Sequence, residues 1–147
     1  MVLLSKQRLG SRLKNPLLVF RQYAGIPVSL SALRRLALSM YKKEGIQVIR
    51  RISLVFCSDH TIRKLNKQYR DIDRATDVLS FALGDDDLLG EIYISLERAK
   101  VQARRYDSSL DTEIKRLFVH GFFHLLGHDH KKSGERIAME NKESFYR

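Results

Sequence analysis

A chain of 147 residues, 44% of them hydrophobic, has the size of one ordinary domain and enough apolar side chains for a sizeable core, which excludes wholesale disorder. No apolar run approaches the roughly 20 residues that a membrane helix needs, so no membrane partner is expected. The formal net charge of +10, from 27 Lys and Arg against 17 Asp and Glu, argues for a polyanionic partner, nucleic acid before an anionic membrane.

The charge is uneven. No acidic residue precedes Glu44, whereas Lys6, Arg8, Arg12, Lys14, Arg21, Arg34, Arg35, Lys42 and Lys43 do. Such a start is read as a basic strand-and-helix face in preference to a cleaved presequence. Leu17 to Phe20 is a short first strand. Ser29 caps a helix with apolar residues at Leu30, Leu33, Leu36, Ala37 and Met40, and Gly45 suits its C-terminal cap. Arg51 to Cys57 alternates, with Ile52, Leu54 and Phe56 on one face, and reads as a strand. Cys57 is the single cysteine, so no disulfide forms within the chain. That fits a reducing compartment, and a cytoplasmic protein is expected. The bland reading of Cys57 is a small buried thiol.

Ser58 caps a second helix that carries Ile62, Leu65 and Tyr69 inward. Val78 to Phe81 is the next strand, Gly84 to Asp87 a solvated turn, and Glu91 to Ile94 a further strand. The three aspartates of the turn lack the alternating ligands of a calcium loop. Ser95 opens a third helix to about Arg105. A fourth runs from about Asp111 to Leu126 with the stripe Ile114, Leu117, Phe118, Phe122 and Leu125. A last helix starts after Ser133 and contains Ile137 and Met139. The pattern is one mixed α and β domain over 1–147, with about five helices and both parallel and antiparallel strand pairs allowed.

Four of the five histidines lie between His120 and His130. His120 and His124 are four apart on a predicted helix, about 400° of turn, so their imidazoles project from nearly the same side. Both then reach one ion at about 2.0 to 2.1 Å. They fall at the margin of the apolar stripe. Gly127 can take positive φ, end the helix and bring His130 round to the same ion. Three protein ligands leave a fourth tetrahedral position open, the arrangement of a catalytic zinc site. The spacing His-x3-His-x2-Gly-x2-His matches the ligand frame of metzincins. His128 is an alternative third ligand, and Asp129 is either an outer-shell partner of a ligand histidine or a solvated loop acid. Metzincins place Glu directly after the first histidine as general base; this chain has Gly121. The frame is therefore read away from proteolysis, toward a reaction in which the metal's own activation of water suffices.

Arg70 sits where a helix ends before a strand. A guanidinium grips phosphate bidentately, although by sequence alone an exposed surface arginine is the better reading. Leu65-Asn66 with Tyr69-Arg70, then Thr76 to Phe81, Gly90-Glu91-Ile92 and His120 to His130, in that order and spacing, resemble the YbeY family of metal-dependent endoribonucleases acting in ribosomal RNA maturation. Met139 and Glu140 suit that family's final helix. The matching blocks run roughly from Leu54 to Glu143, and the N-terminal third matches only in its strand-then-helix pattern. The resemblance implies that His120, His124 and His130 bind one zinc ion per chain. It implies that Arg70 is the functional arginine of an RNA groove. It implies an α+β fold with a small mixed sheet and a zincin-like metal helix packed on it. Ala82 departs from the proline usual after the Ser-Phe pair, Glu91 from the usual aspartate and His128 from a common tyrosine.

The expected function is a single-strand-specific zinc-dependent endoribonuclease acting on the 3′ end of small-subunit ribosomal RNA and in ribosome quality control. His124 and Arg70 are its catalytic residues, and Arg70, Arg98, Lys100, Arg104 and Arg105 its RNA contacts. Ribosomal RNA and small-subunit proteins are the expected partners. A non-catalytic zinc-containing assembly factor and a zinc peptidase are the two rival readings.

Overall fold

The computed structural model describes residues 15–22 and 28–127. Lys6, Arg8, Arg12 and Lys14, residues 128–130, and the expected last helix with Ile137 and Met139 lie outside the described residues. The chain order is β1 (Leu17–Arg21), α1 (Leu30–Glu44), β2 (Arg51–Cys57), α2 (Asp59–Arg70), β3 (Val78–Ala82), β4 (Leu88–Ser95), α3 (Leu96–Arg105) and α4 (Leu110–Leu125).

Each helix begins where a serine hydroxyl satisfies a backbone N–H of the first turn. Ser29 accepts from Ala32, Ser58 from Thr61, Ser95 from Arg98 and Ser109 from Thr112, at 3.1 to 3.4 Å. α1 stops at Gly45, whose φ of 68° closes the last turn onto the carbonyls of Tyr41 and Lys42. Ser29 also ties two helices together, since its N–H donates to Asp111 Oδ1 at 2.9 Å at the start of α4.

The four strands form one mixed sheet in the order β1-β2-β4-β3. β1, β2 and β4 are parallel, and β3 runs antiparallel to β4. β3 is therefore an edge. β4 starts at Leu88, earlier than the expected Glu91, and so pairs along most of both neighbours.

Alternation along β2 puts Ile52, Leu54 and Phe56 on one face. The strand is buried on both. Ile52, Leu54 and Phe56 join Leu33, Tyr41, Phe118 and Phe122 of α1 and α4 in the main core. Val55 and Cys57 join Ile62, Leu79, Phe81 and Tyr93 in a second cluster beneath α2. The reason is position: an interior strand with helices over both faces has no solvent side. The two layers of helices thus put α4 and α2 on opposite faces, and both approach the edge strand β3.

Candidate active site

α4 carries His120 and His124 in its second half, both half-buried, at the margin of its apolar face. Their Nε2 atoms stand 3.0 Å apart and their ring centroids 4.6 Å apart. Two nitrogens at about 2.0 to 2.1 Å from a common tetrahedral ion lie about 3.3 Å apart, so the pair fits a shared zinc ion after a shift of about 0.3 Å. The same separation suits a proton shared between the rings. His130, the third expected ligand, lies outside the described residues with His128 and Asp129. Gly127 follows the helix with a φ of 90°, the conformation expected of a residue that turns the chain back.

Gly121 faces the opposite way, into the sheet. A Cβ there would stand 2.9 Å from Ile92 Cγ2, 3.0 Å from Ser80 Oγ and 3.2 Å from Val78 Cγ2. The position that bears the glutamate of metzincins therefore takes a methyl group only if its neighbours shift. The absence of that base follows from packing. Gly90 serves the same contact one turn on: a Cβ there would meet Leu125 Cδ2 and Phe81 O, each at 2.5 Å. Two glycines let α4 lie close on β3 and β4, and that sets how far the histidines stand from the sheet edge.

The rotation of α4 about its axis is fixed one turn before His120. Arg116 pairs with the buried Glu113, lies 3.9 Å from Asp77 Oδ2 and donates to Gln102 Oε1 at 3.2 Å. This network spans α3, α4 and the entry to β3.

Arg70 ends α2 on the other face of the sheet. Its side chain is exposed, and its Nη2 donates to the carbonyl oxygen of Ser80 at 2.7 Å. Its guanidinium lies over the Phe81 ring, 5.1 Å from the centroid. Ser80 also reaches the helix that bears the histidines, since its hydroxyl donates to Gly121 O at 3.0 Å. One residue of the edge strand thus binds Arg70 through its backbone and α4 through its side chain. The edge strand β3 links the helix that ends in Arg70 to the helix that bears the imidazole pair. Sequence reading singled out Arg70 and the histidines but missed Ser80; the available signal was a hydroxyl among the apolar residues of Val78 to Ala82.

Beneath this edge, Phe81 stands edge-on to Tyr93, centroids 5.9 Å apart, and the Tyr93 hydroxyl donates to Glu91 Oε2 at 3.2 Å. Burial first, and the Glu91 carboxylate next, push the Tyr93 pKa well above its ordinary value. The expectation that Tyr69 points inward is corrected: it is 39% exposed, its ring set at 70° to Phe81 with centroids 5.4 Å apart. Asn66 takes the buried place in that turn instead, donating to Arg74 O at 3.0 Å.

The basic residues of α3 divide. Arg98 is half-buried and pairs with Asp59 at 3.2 Å, joining α3 to the start of α2. Lys100, Arg104 and Arg105 are exposed along α3, which meets α4 around Gln102 and Arg116.

Residues 23–146 match the family model described as Endoribonuclease YbeY. The chain is 45% identical over 120 residues to the endoribonuclease YbeY of Pelotomaculum thermopropionicum, a match covering 76% of this chain and 79% of that protein. It is 54% identical over 97 residues to the endoribonuclease YbeY of Finegoldia magna, with 63% of each chain covered. Among solved structures, the solution structure of TM1509 from Thermotoga maritima superposes with a TM-score of 0.64 at 29% identity, over 88% of this chain and 85% of that one. A family model spanning most of the chain, joined to relatives of this likeness, means that the chain belongs to the YbeY family of endoribonucleases.

Proposed function

We propose that this protein is a zinc-dependent endoribonuclease that cuts single-stranded RNA, with the 3′ end of small-subunit ribosomal RNA as its target and a part in ribosome quality control. The observation that carries the reading is that one edge-strand residue, Ser80, is bonded both to Arg70 and to the helix that bears the two imidazoles. A pair of imidazoles converges to 3.0 Å on one face, and a guanidinium is held at 2.7 Å from the edge strand on the other. Family membership and the net charge of +10 point to the same polyanionic substrate.

His120, His124 and His130 are the residues that hold the ion, one per chain. Zinc, when bound, supplies Lewis acidity at the phosphoryl group and makes water a better nucleophile near neutral pH. Arg70 binds a phosphate at or beside the scissile bond. One of its five N–H donors is engaged by Ser80, which orients the guanidinium and leaves the other donors for phosphate oxygens. That charge stabilises the negative charge that develops on the phosphoryl oxygens. Lys100, Arg104 and Arg105 hold the rest of the strand electrostatically, so affinity falls steeply as salt rises. Arg98, tied to Asp59, acts in that field mainly by fixing α3. Small-subunit ribosomal proteins are the proposed partners, and the cytoplasm the proposed location. Among the described residues no helix is long and apolar enough to cross a membrane.

The test is to incubate zinc-loaded protein with structured ribosomal RNA and to sequence the new ends, beside Arg70→Ala, His124→Ala and a chelated sample. Discrete cuts made by the wild type and lost in all three support the nuclease and give its end chemistry. A 2′,3′-cyclic phosphate end means that the RNA's own 2′-hydroxyl attacks. Tight RNA and zinc binding without any cut would replace the nuclease by a non-catalytic assembly factor.

A further inference from the structure

Tyr69 is not accounted for by the reaction above. Helical spacing aligns it with Ile62 and Leu65, yet the residue is 39% exposed. The ring is also held. Its edge-on contact with Phe81 fixes its plane, and Phe81 is itself buried and braced by Tyr93. The Arg70 guanidinium lies over the same Phe81 ring. Tyr69 and Arg70 therefore share one rigid anchor, and an aromatic surface stands beside the cation assigned to phosphate.

The surroundings suit a polyanion. The exposed side of α2 carries Arg63, Lys64, Lys67 and Arg70. Arg63 and Lys67 lie 2.8 and 3.9 Å from Asp73, whose carboxyl the Arg63 hydrogen bond holds below the usual carboxylate range. Among the described residues neither Lys64 nor Arg70 has an acidic partner in an ion pair.

We infer that Tyr69 is a base-stacking platform: an unpaired base of the RNA strand lies on its exposed ring while Arg70 holds the adjoining phosphate. The inference rests on the endoribonuclease reading and names how the same site selects single strands. A base in a duplex already has both faces covered by its neighbours, so only an unpaired or splayed base has a face for the tyrosine. Stacking on an aromatic ring tolerates any base, which gives strand selectivity without sequence selectivity.

The chain contains no tryptophan, so Tyr69→Trp introduces a single indole reporter at the platform. Its emission is followed during titration with a single-stranded oligoribonucleotide, the same strand in a duplex, and inorganic polyphosphate. Quenching by the single strand alone, saturating over the range in which cleavage saturates, is the expected result. In parallel, Tyr69→Ala raises KM by about 5- to 150-fold with a smaller change in kcat, and Tyr69→Phe restores it. An indole that stays unquenched while this variant binds and cuts RNA overturns the stacking role and leaves the nuclease standing. So does a Tyr69→Ala variant with wild-type KM. If wild-type protein neither binds nor cuts RNA, both readings fall together. A loss of thermal stability in Tyr69→Ala with no quenching in Tyr69→Trp would reduce Tyr69 to a cover for Phe81.

Discussion

Replacing Gly121 by alanine sets two physical effects against each other with opposite signs. Alanine is favoured over glycine inside a helix by about 1 kcal/mol, so by propensity alone the variant is more stable. The packing argues the other way. The added methyl would lie 2.9 to 3.2 Å from Ile92, Ser80 and Val78, side chains on two paired strands. Carbon atoms prefer separations of about 3.5 to 4.0 Å, so α4 must back off by several tenths of an ångström against neighbours fixed by the sheet. Overpacking of this kind costs about 1 to 3 kcal/mol. The same movement stretches the Ser80 Oγ to Gly121 O hydrogen bond, worth about 0.5 to 1.5 kcal/mol. The balance is a destabilisation of about 0.5 to 3.5 kcal/mol, centred near 2.

Urea unfolding reads this directly. With a slope of about 2 kcal/mol/M, the expected loss lowers the midpoint by about 1 M at unchanged slope. Truncating Ser80 to alanine should recover part of the loss in the Gly121→Ala background while costing stability in the wild type, a coupling that a double-mutant cycle isolates. A midpoint that rises in Gly121→Ala would mean that helix propensity governs the position and that α4 does not lie on β3 as described. Gly121→Glu, which writes the metzincin base into the chain, should not fold at all.

Arg70→Ala should lower the cleavage rate by about 10²- to 10³-fold with a change in stability near 1 kcal/mol or less, and Arg70→Lys should recover little, since an ammonium cannot engage Ser80 O, lie over Phe81 and fork onto phosphate together. Single-turnover cleavage beside thermal melting checks both, and full activity in the lysine variant would refute the geometric role. Alkaline stability should be flat to about pH 9 and then fall. Burial pushes the Cys57 thiol up from 9.0 to about 12, and nearby Asp59 and Glu97 add to it, so the folded chain keeps a proton that the unfolded chain releases across that window. Burial of Tyr41 and Tyr93 acts in the same sense from about pH 10 upward. Urea midpoints from pH 7 to 11 test the sign, and a midpoint that rises above pH 9 would contradict it. Ala82→Pro should change stability by no more than about 0.5 kcal/mol, because Leu83 N–H pairs with Leu89 O and alternation along the edge strand turns the Ala82 N–H away from β4. Leu79→Pro, whose N–H faces β4, should unfold the protein, and equal effects at the two positions would invalidate the register.

The features legible in the sequence are local. Ser29, Ser58 and Ser95 each announce a helix because a cap needs only its own turn, and the imidazoles of His120 and His124 meet because four residues on one helix decide it. Ser109 carries the same signal at the start of α4, two residues before the expected start at about Asp111. The errors concern neighbours that the chain supplies from far away. Tyr69 satisfies the spacing set by Ile62 and Leu65, but it lies in the last turn of α2, over the edge strand, where its ring meets Phe81 edge-on and the residue stays 39% exposed. Periodicity measures angle about the helix axis and carries no information on where the opposing surface stops. β2 shows the converse: its alternation is real, and strand order places it inside the sheet with helices on both sides, so the second set of residues is buried as well. The link from Arg70 through Ser80 to Gly121 joins α2, β3 and α4 across separations of 10 and 41 residues. Ser80 can serve both partners because an edge strand leaves alternate carbonyls unclaimed by its single neighbour. A central strand would have spent that carbonyl on the ladder, and Arg70 would have lost the hydrogen bond that orients it over Phe81.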